Sequence, residues 1–209
     1  MIVLSHRGYW QDAKEKNQEI AFSRSFDLGF GTETDIRDRN GELVISHDMP
    51  NGNELTLTDF LRIVGTRNLP LALNIKADGL VGALKDALGR GTLSNWFVFD
   101  MAVPDMRAYL QAGIPVFTRM SEVERTPAWL EQSVGVWLDG FSDVWYDAAT
   151  IESLLRAGKE VCVVSSELHG RDPAAQWHML RGLPAHPGLM LCTDDPEKAQ
   201  LFFGDQIND

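Results

Sequence analysis

Short β-rich apolar runs alternate with stretches of helical periodicity from one end of this sequence to the other, and that alternation restricts the fold more than any other feature. Eight candidate strands fall at residues 2–5, 31–37, 71–75, 96–99, 116–118, 134–138, 161–164 and 189–192. Helical segments are expected near 17–28, 56–65, 79–89, 103–112, 122–132, 147–157, 173–182 and 195–203. Thr58 is the expected cap of the helix that holds Phe60, Leu61 and Val64 and stops at Gly65, and Asp147 is the expected start of the helix that ends before Gly158. A further short strand over 42–45 follows the Asn40-Gly41 turn. No linker or composition break interrupts the series, so the expectation is an α/β fold, a single (β/α)8 TIM barrel spanning 1–209. An open doubly wound sheet is the rival. It usually carries a Gly-rich phosphate loop after its first strand, and Ser5-His6-Arg7-Gly8 occupies that place here.

Charge narrows the partners. Asp plus Glu number 30 against 19 Lys plus Arg, a net −11, which argues against nucleic acid or stable association with an anionic membrane. No basic-then-apolar leader and no bilayer-length apolar run are visible. Cys162 and Cys192 sit in apolar runs and read as buried thiols of a reducing compartment, hence a cytoplasmic protein. Oligomeric state is not legible.

Polar residues break the strand rules in two successive strands. Glu33, Asp35 and Arg37 are spaced by two and share one face of the second strand. Two carboxylates on a buried face repel each other and lose hydration, so they require a divalent cation or dense hydrogen bonding, with an Arg37–Asp35 ion pair as the plainer alternative. In the third strand Leu71, Leu73 and Ile75 share one face while Ala72, Asn74 and Lys76 take the other. Asn74 can offer a neutral oxygen to a metal, and Lys76 a charge to an anionic substrate. His6 follows the first strand and His47 follows the extra one. Imidazoles titrate near neutrality, and two of them beside an arginine and a cation suit displacement at phosphorus. His178 and His186 are expected to be structural.

The ordered set His6-Arg7-Gly8, Glu33-x-Asp35 after Gly29-Phe30-Gly31, His47-Asp48, and Leu55-Thr56-Leu57 resembles the glycerophosphodiester phosphodiesterase family over about the first third of the chain. The wider superfamily includes phosphatidylinositol-specific phospholipase C and spider sphingomyelinase D. Thr193-Asp194-Asp195-Pro196 is similar to the end of that family's last strand. The resemblance implies that His6 and His47 are the catalytic acid–base pair, that Arg7 and Lys76 bind phosphate, and that Glu33, Asp35 and the strand-three residue Asn74 hold a magnesium or calcium ion. It also sets Asn17 loosely against an asparagine of the family, with Lys16 where an acid is usual. The chain departs in two respects. The family's third strand reads Glu-x-Lys where this one reads Asn74-Ile75-Lys76, and only residues 49–54 separate His47-Asp48 from the next helix, so the insertion that shapes the glycerol side is missing. Glu167 and Asp139 are the candidate acids to replace the missing carboxylate.

The polar run from Ser165 to Arg171 and the stretch around Asp139, Asp143 and Trp145 offer Glu167, His169, Arg171 and Trp145 as contacts for a sugar or polyol. The expected activity is metal-dependent cleavage of a soluble small-molecule phosphodiester by the two histidines, with a cyclic phosphate as a route when the substrate carries a neighbouring hydroxyl. The alternative is a non-catalytic phosphate or sugar-phosphate binding barrel with an impaired metal site. At about 26 residues per βα unit, little chain is left over for substrate recognition.

Overall fold

The alternation read from the sequence is realised as β1 (Ile2–His6), α1 (Glu19–Asp27), β2 (Gly31–Arg39), β3 (Glu42–Ile45), α2 (Leu57–Val64), β4 (Leu71–Ile75), α3 (Val81–Leu88), β5 (Trp96–Phe99), α4 (Val103–Gln111), β6 (Phe117–Met120), β7 (Gly135–Leu138), α5 (Ala148–Arg156), β8 (Glu160–Val164), α6 (Ala174–Arg181), β9 (Leu189–Thr193) and α7 (Pro196–Phe203). The structure, a computed structural model, describes residues 1–89 and 93–204. Apart from the antiparallel β3, the eight strands follow the (β/α)8 topology, with a helix after each of them except β6. The chain divides into two compact units, Ser5–Val116 and Met1–Leu4 with Phe117–Asp209.

In the unit Ser5–Val116 the strand order is β5-β4-β2, with β3 antiparallel on β2. The parallel register sets Glu33 beside Ala72 and Asp35 beside Asn74. Side-chain alternation does the sorting. Ile36, Leu71, Leu73 and Ile75 join Phe22, Phe60, Val64 and Leu84 in one buried cluster under the helices. Phe22 and Phe60 meet edge to face at 4.7 Å. Each fully buried side chain of this size contributes about 1.5–3 kcal/mol. Glu33, Asp35 and Asn74 thereby take the opposite face, buried but outside that cluster.

In the other unit β6, β7, β8 and β9 run parallel in that order. Cys162 and Cys192 lie buried on the neighbouring strands β8 and β9.

Two expectations need correction. Residues 122–132 form turns, not a helix. Pro127 lacks the N–H a helix interior needs and clashes with the preceding turn. The segment is held instead by the Thr118 hydroxyl donating to the Ala128 carbonyl at 2.7 Å and by Trp129 at φ +55°. Val123, which gave the segment its helical spacing, is exposed. The cap of α2 is Thr56, not Thr58: its hydroxyl accepts from the Asp59 N–H at 3.0 Å, because the helix starts early enough to bury Leu57. Asp147 does cap α5, accepting from the Thr150 N–H. Among the described residues no helix is long and apolar enough to cross a membrane.

Candidate active site

β1 runs into a turn that the His6-Arg7-Gly8 sequence makes possible. Arg7 adopts φ +59° and Gly8 φ +80°. A Cβ on Gly8 would stand 2.8 Å from the Ala21 carbonyl carbon, so only glycine lets the turn lie against α1. The Arg7 N–H donates to the Glu33 carbonyl at 3.0 Å and reaches the Glu33 Oε2 atom at 3.2 Å, while the Gly8 N–H donates to the Thr32 hydroxyl at 3.0 Å. The turn is thereby fastened to β2.

Cations and donors gather on the two buried acids. Arg7 Nε lies 3.1 Å from Asp35 Oδ2, and Lys76 Nζ lies 3.5 Å from Asp35 Oδ1. Asn17 donates to Asp35 Oδ2 at 2.8 Å and accepts from the Thr34 hydroxyl at 2.9 Å, which fixes the carboxylate from a second side. His6 Nε2 is 4.0 Å from Glu33 Oε2. Burial, and then the neighbouring Asp35 charge, push the Glu33 carboxyl up to about 7, against the opposing pull of His6, Arg7 and Lys76. The Arg37–Asp35 pair does not form: Arg37 Nε donates to the His47 carbonyl at 3.1 Å and so ties the His47 loop to β2.

His47 Nδ1 lies 2.8 Å from Asp48 Oδ1, and this hydrogen bond holds the Asp48 carboxyl below its usual range. An ionised acceptor at Nδ1 assigns the imidazole proton to that nitrogen and leaves Nε2 free to accept one. His47 and Arg7 line the same cavity, about 350 Å³ in volume.

Asn74 points its Nδ2 toward Asp100 Oδ2 at 3.4 Å, and its buried Oδ1 has no hydrogen-bond partner among the described residues. Among the described residues no three His, Cys, Asp or Glu side chains gather closely enough to hold a metal ion. The oxygens available to a hard cation are those of Glu33, Asp35 and Asn74, two carboxylates and an amide carbonyl on adjacent strands. Asp100 is the site residue that sequence reasoning missed. It directly follows β5, where a polar residue at a barrel strand's C-terminal end is a signal, and it sits at φ +64°.

The remaining candidates lie in the other unit, each held by its own loops. Glu167 accepts from the Ser165 and Thr193 hydroxyls and from the Asp194 N–H. His169 Nε2 is 2.8 Å from Asp139 Oδ1, and Arg171 donates to the Gly140 carbonyl. Trp145 Nε1 donates to the Asp139 carbonyl at 2.7 Å, with the ring edge-on to Tyr146 and Arg125 above it. His186 accepts from the Gly188 N–H, and His178 packs on Phe202.

No protein-family model matches the sequence, and no curated protein is significantly similar to it. Solved structures do match along nearly the whole chain. An Oleispira antarctica phosphodiesterase in complex with its product sn-glycerol-3-phosphate is similar at TM-score 0.71 and 16% identity, over 98% of this chain and 97% of that one. A glycerophosphodiester phosphodiesterase from Agrobacterium tumefaciens gives TM-score 0.68 at 16% identity over 100% of both chains. A Ca2+-dependent phosphatidylinositol-specific phospholipase C from Streptomyces antibioticus gives TM-score 0.57 at 12% identity, over 97% of this chain and 95% of that one. At these identities the likeness is one of fold, and it accords with the (β/α)8 topology.

Proposed function

We propose that this chain is a phosphoric diester hydrolase that cleaves a soluble glycerophosphodiester-like or sugar and polyol phosphodiester. The observation that carries the reading is the convergence of His6, Arg7 and Lys76 on the buried Glu33–Asp35 pair. A binding site for phosphate has no need of two carboxylates that repel each other, nor of an imidazole beside them. The fold-level neighbours support the same class, since two are named as phosphodiesterases and one holds sn-glycerol-3-phosphate.

Arg7 and Lys76 bind the phosphate and share its developing charge, each already oriented by Asp35. His47 Nε2 takes the proton of the attacking hydroxyl, with Asp48 stabilising the imidazolium that results. His6, beside Glu33, gives a proton to the leaving oxygen. Where the substrate carries a hydroxyl next to the phosphate, that hydroxyl is the nucleophile and a cyclic phosphate is released or hydrolysed. Glu33, Asp35 and Asn74 would hold a divalent cation: the unpartnered, buried Asn74 Oδ1 and the upward push on Glu33 both fit an oxygen-preferring ion. Such an ion, magnesium or calcium, would supply Lewis-acid polarisation of the phosphoryl oxygens.

The test is a hydrolysis screen of phosphodiesters with and without magnesium, calcium and manganese. Turnover of at least one diester is the expected outcome. Asn74 in the third-strand position favours one second reading, a binding protein with a weakened metal site. Tight glycerol phosphate binding without turnover of any diester would establish that reading instead.

A further inference from the structure

The cavity that Arg7 and His47 line continues over Lys16, Asn17, Asn51 and Asn53. Lys16 Nζ lies 4.2 Å from the centre of the Trp10 ring, so its ammonium is held in place and the indole face is already covered by a cation of the chain itself. The carboxylates on the wall are engaged. Glu54 accepts the Asn51 and Gly52 N–H groups and pairs with Arg39, and these bonds hold its carboxyl down to about 2. Asp48 is bonded to His47, and its side chain is 92% exposed. What the wall offers an anionic ligand is therefore Lys16 and Arg7, the latter held by Asp35, together with neutral amides and the His47 imidazole. Among the described residues no Phe, Tyr or Trp lines this cavity. An ammonium ligand needs the opposite: aromatic faces or unpaired acids.

We infer that the alcohol half of the diester seated in this cavity carries an anionic group, a carboxylate or a second phosphate, and not a quaternary ammonium. This rests on the phosphodiesterase reading and names its substrate class. Arg7 engages the diester phosphate, whereas Lys16 meets the second anion, and a cationic head group would be repelled by both.

The experiment compares kcat/KM for four sn-glycerol-3-phosphate diesters, whose alcohols are glycolate, glycerol monophosphate, glycerol and choline, in the presence of each of magnesium, calcium and manganese. The wild type is expected to prefer one or both anionic diesters over the choline diester by about tenfold or more, and the glycolate and phosphate arms report which anion is read. Lys16→Glu should collapse that ratio by about tenfold or more, chiefly through KM, and Lys16→Arg should keep it. Because each ratio is internal to one protein sample, partial unfolding of a variant cancels. Hydrolysis of all four diesters with no preference for charge, or a ratio unchanged in Lys16→Glu, would overturn this inference and leave the phosphodiesterase reading standing. Absence of hydrolysis of every diester by the wild type would overturn that reading and the inference with it.

Discussion

Around β2 and around β8 the molecule assembles the same residue types, an acid pair, a histidine and an arginine, at the ends of parallel strands, and treats them differently. Near β8 the acids are satisfied by hydroxyls, backbone N–H groups and one imidazole. Glu167 takes two hydroxyls and a backbone N–H, Asp139 takes the Gly140 N–H and His169, and Arg171 Nε is buried without a hydrogen bond among the described residues. Near β2 charged groups join the neutral Asn17 amide and Arg7 N–H: Arg7 and Lys76 on Asp35, with His6 beside a Glu33 carboxyl driven toward protonation. Neutral hydrogen bonds make a carboxylate part of the scaffold. Mobile protons and long cationic side chains leave it able to respond to a ligand.

The largest effect should separate the two regions outright. His47→Ala and His6→Ala are each expected to lower kcat by at least about 10²-fold with the fold intact, as steady-state rates and circular dichroism would register. His169→Ala should cost less than about tenfold in the same assay. A wild-type rate in either of the first two variants would remove the acid–base assignment.

Next in size is a pH effect on stability without added divalent cation. The folded-state pKa of Glu33, about 7, lies above its ordinary 4.5, so the folded protein holds that proton more tightly than the unfolded chain. The stabilisation is complete below the ordinary value and is lost as pH rises through the folded one, up to about 3 kcal/mol in all. Thermal stability should therefore fall from about pH 5 to about pH 8 in the wild type, and Glu33→Gln should flatten that slope. Equal slopes would show that burial near β2 does not strain Glu33.

Smaller again, Glu167→Ala should lower stability by about 2 kcal/mol in denaturant titration, since it strands two hydroxyls and an N–H. Turnover per folded molecule should change by less than about tenfold. A larger loss in kcat/KM would bring β8 into the site. Finally, Asn74→Glu restores a third carboxylate and should tighten calcium or magnesium binding by about tenfold in calorimetry. No gain would mean that Asn74 does not face the ion.

The parity breaks in β2 and β4 were legible because a strand's two-residue period sorts faces with no knowledge of the fold, and the structure keeps Glu33, Asp35 and Asn74 together on one of them. What escaped depended on turns and cross-strand partners. Asp35 pairs with Arg7, not Arg37, only because Arg7 turns back at φ +59°. Asp100 resembles any loop acid until β5 is laid beside β4. The stretch 122–132 carries apolar residues at helical spacing, and one proline outweighs them.

The central claim is that the β2 cluster cleaves a phosphodiester with His47 as proton acceptor. Phosphorus NMR of a glycerophosphodiester incubated with the protein and a divalent cation tests it most directly. The wild type should convert the diester resonance to a cyclic phosphate or phosphomonoester, and His47→Ala should slow this by at least about 10²-fold. An equal rate of conversion by the two proteins, or an unchanged diester resonance with the wild type across a broad set of diesters and metals, would contradict it.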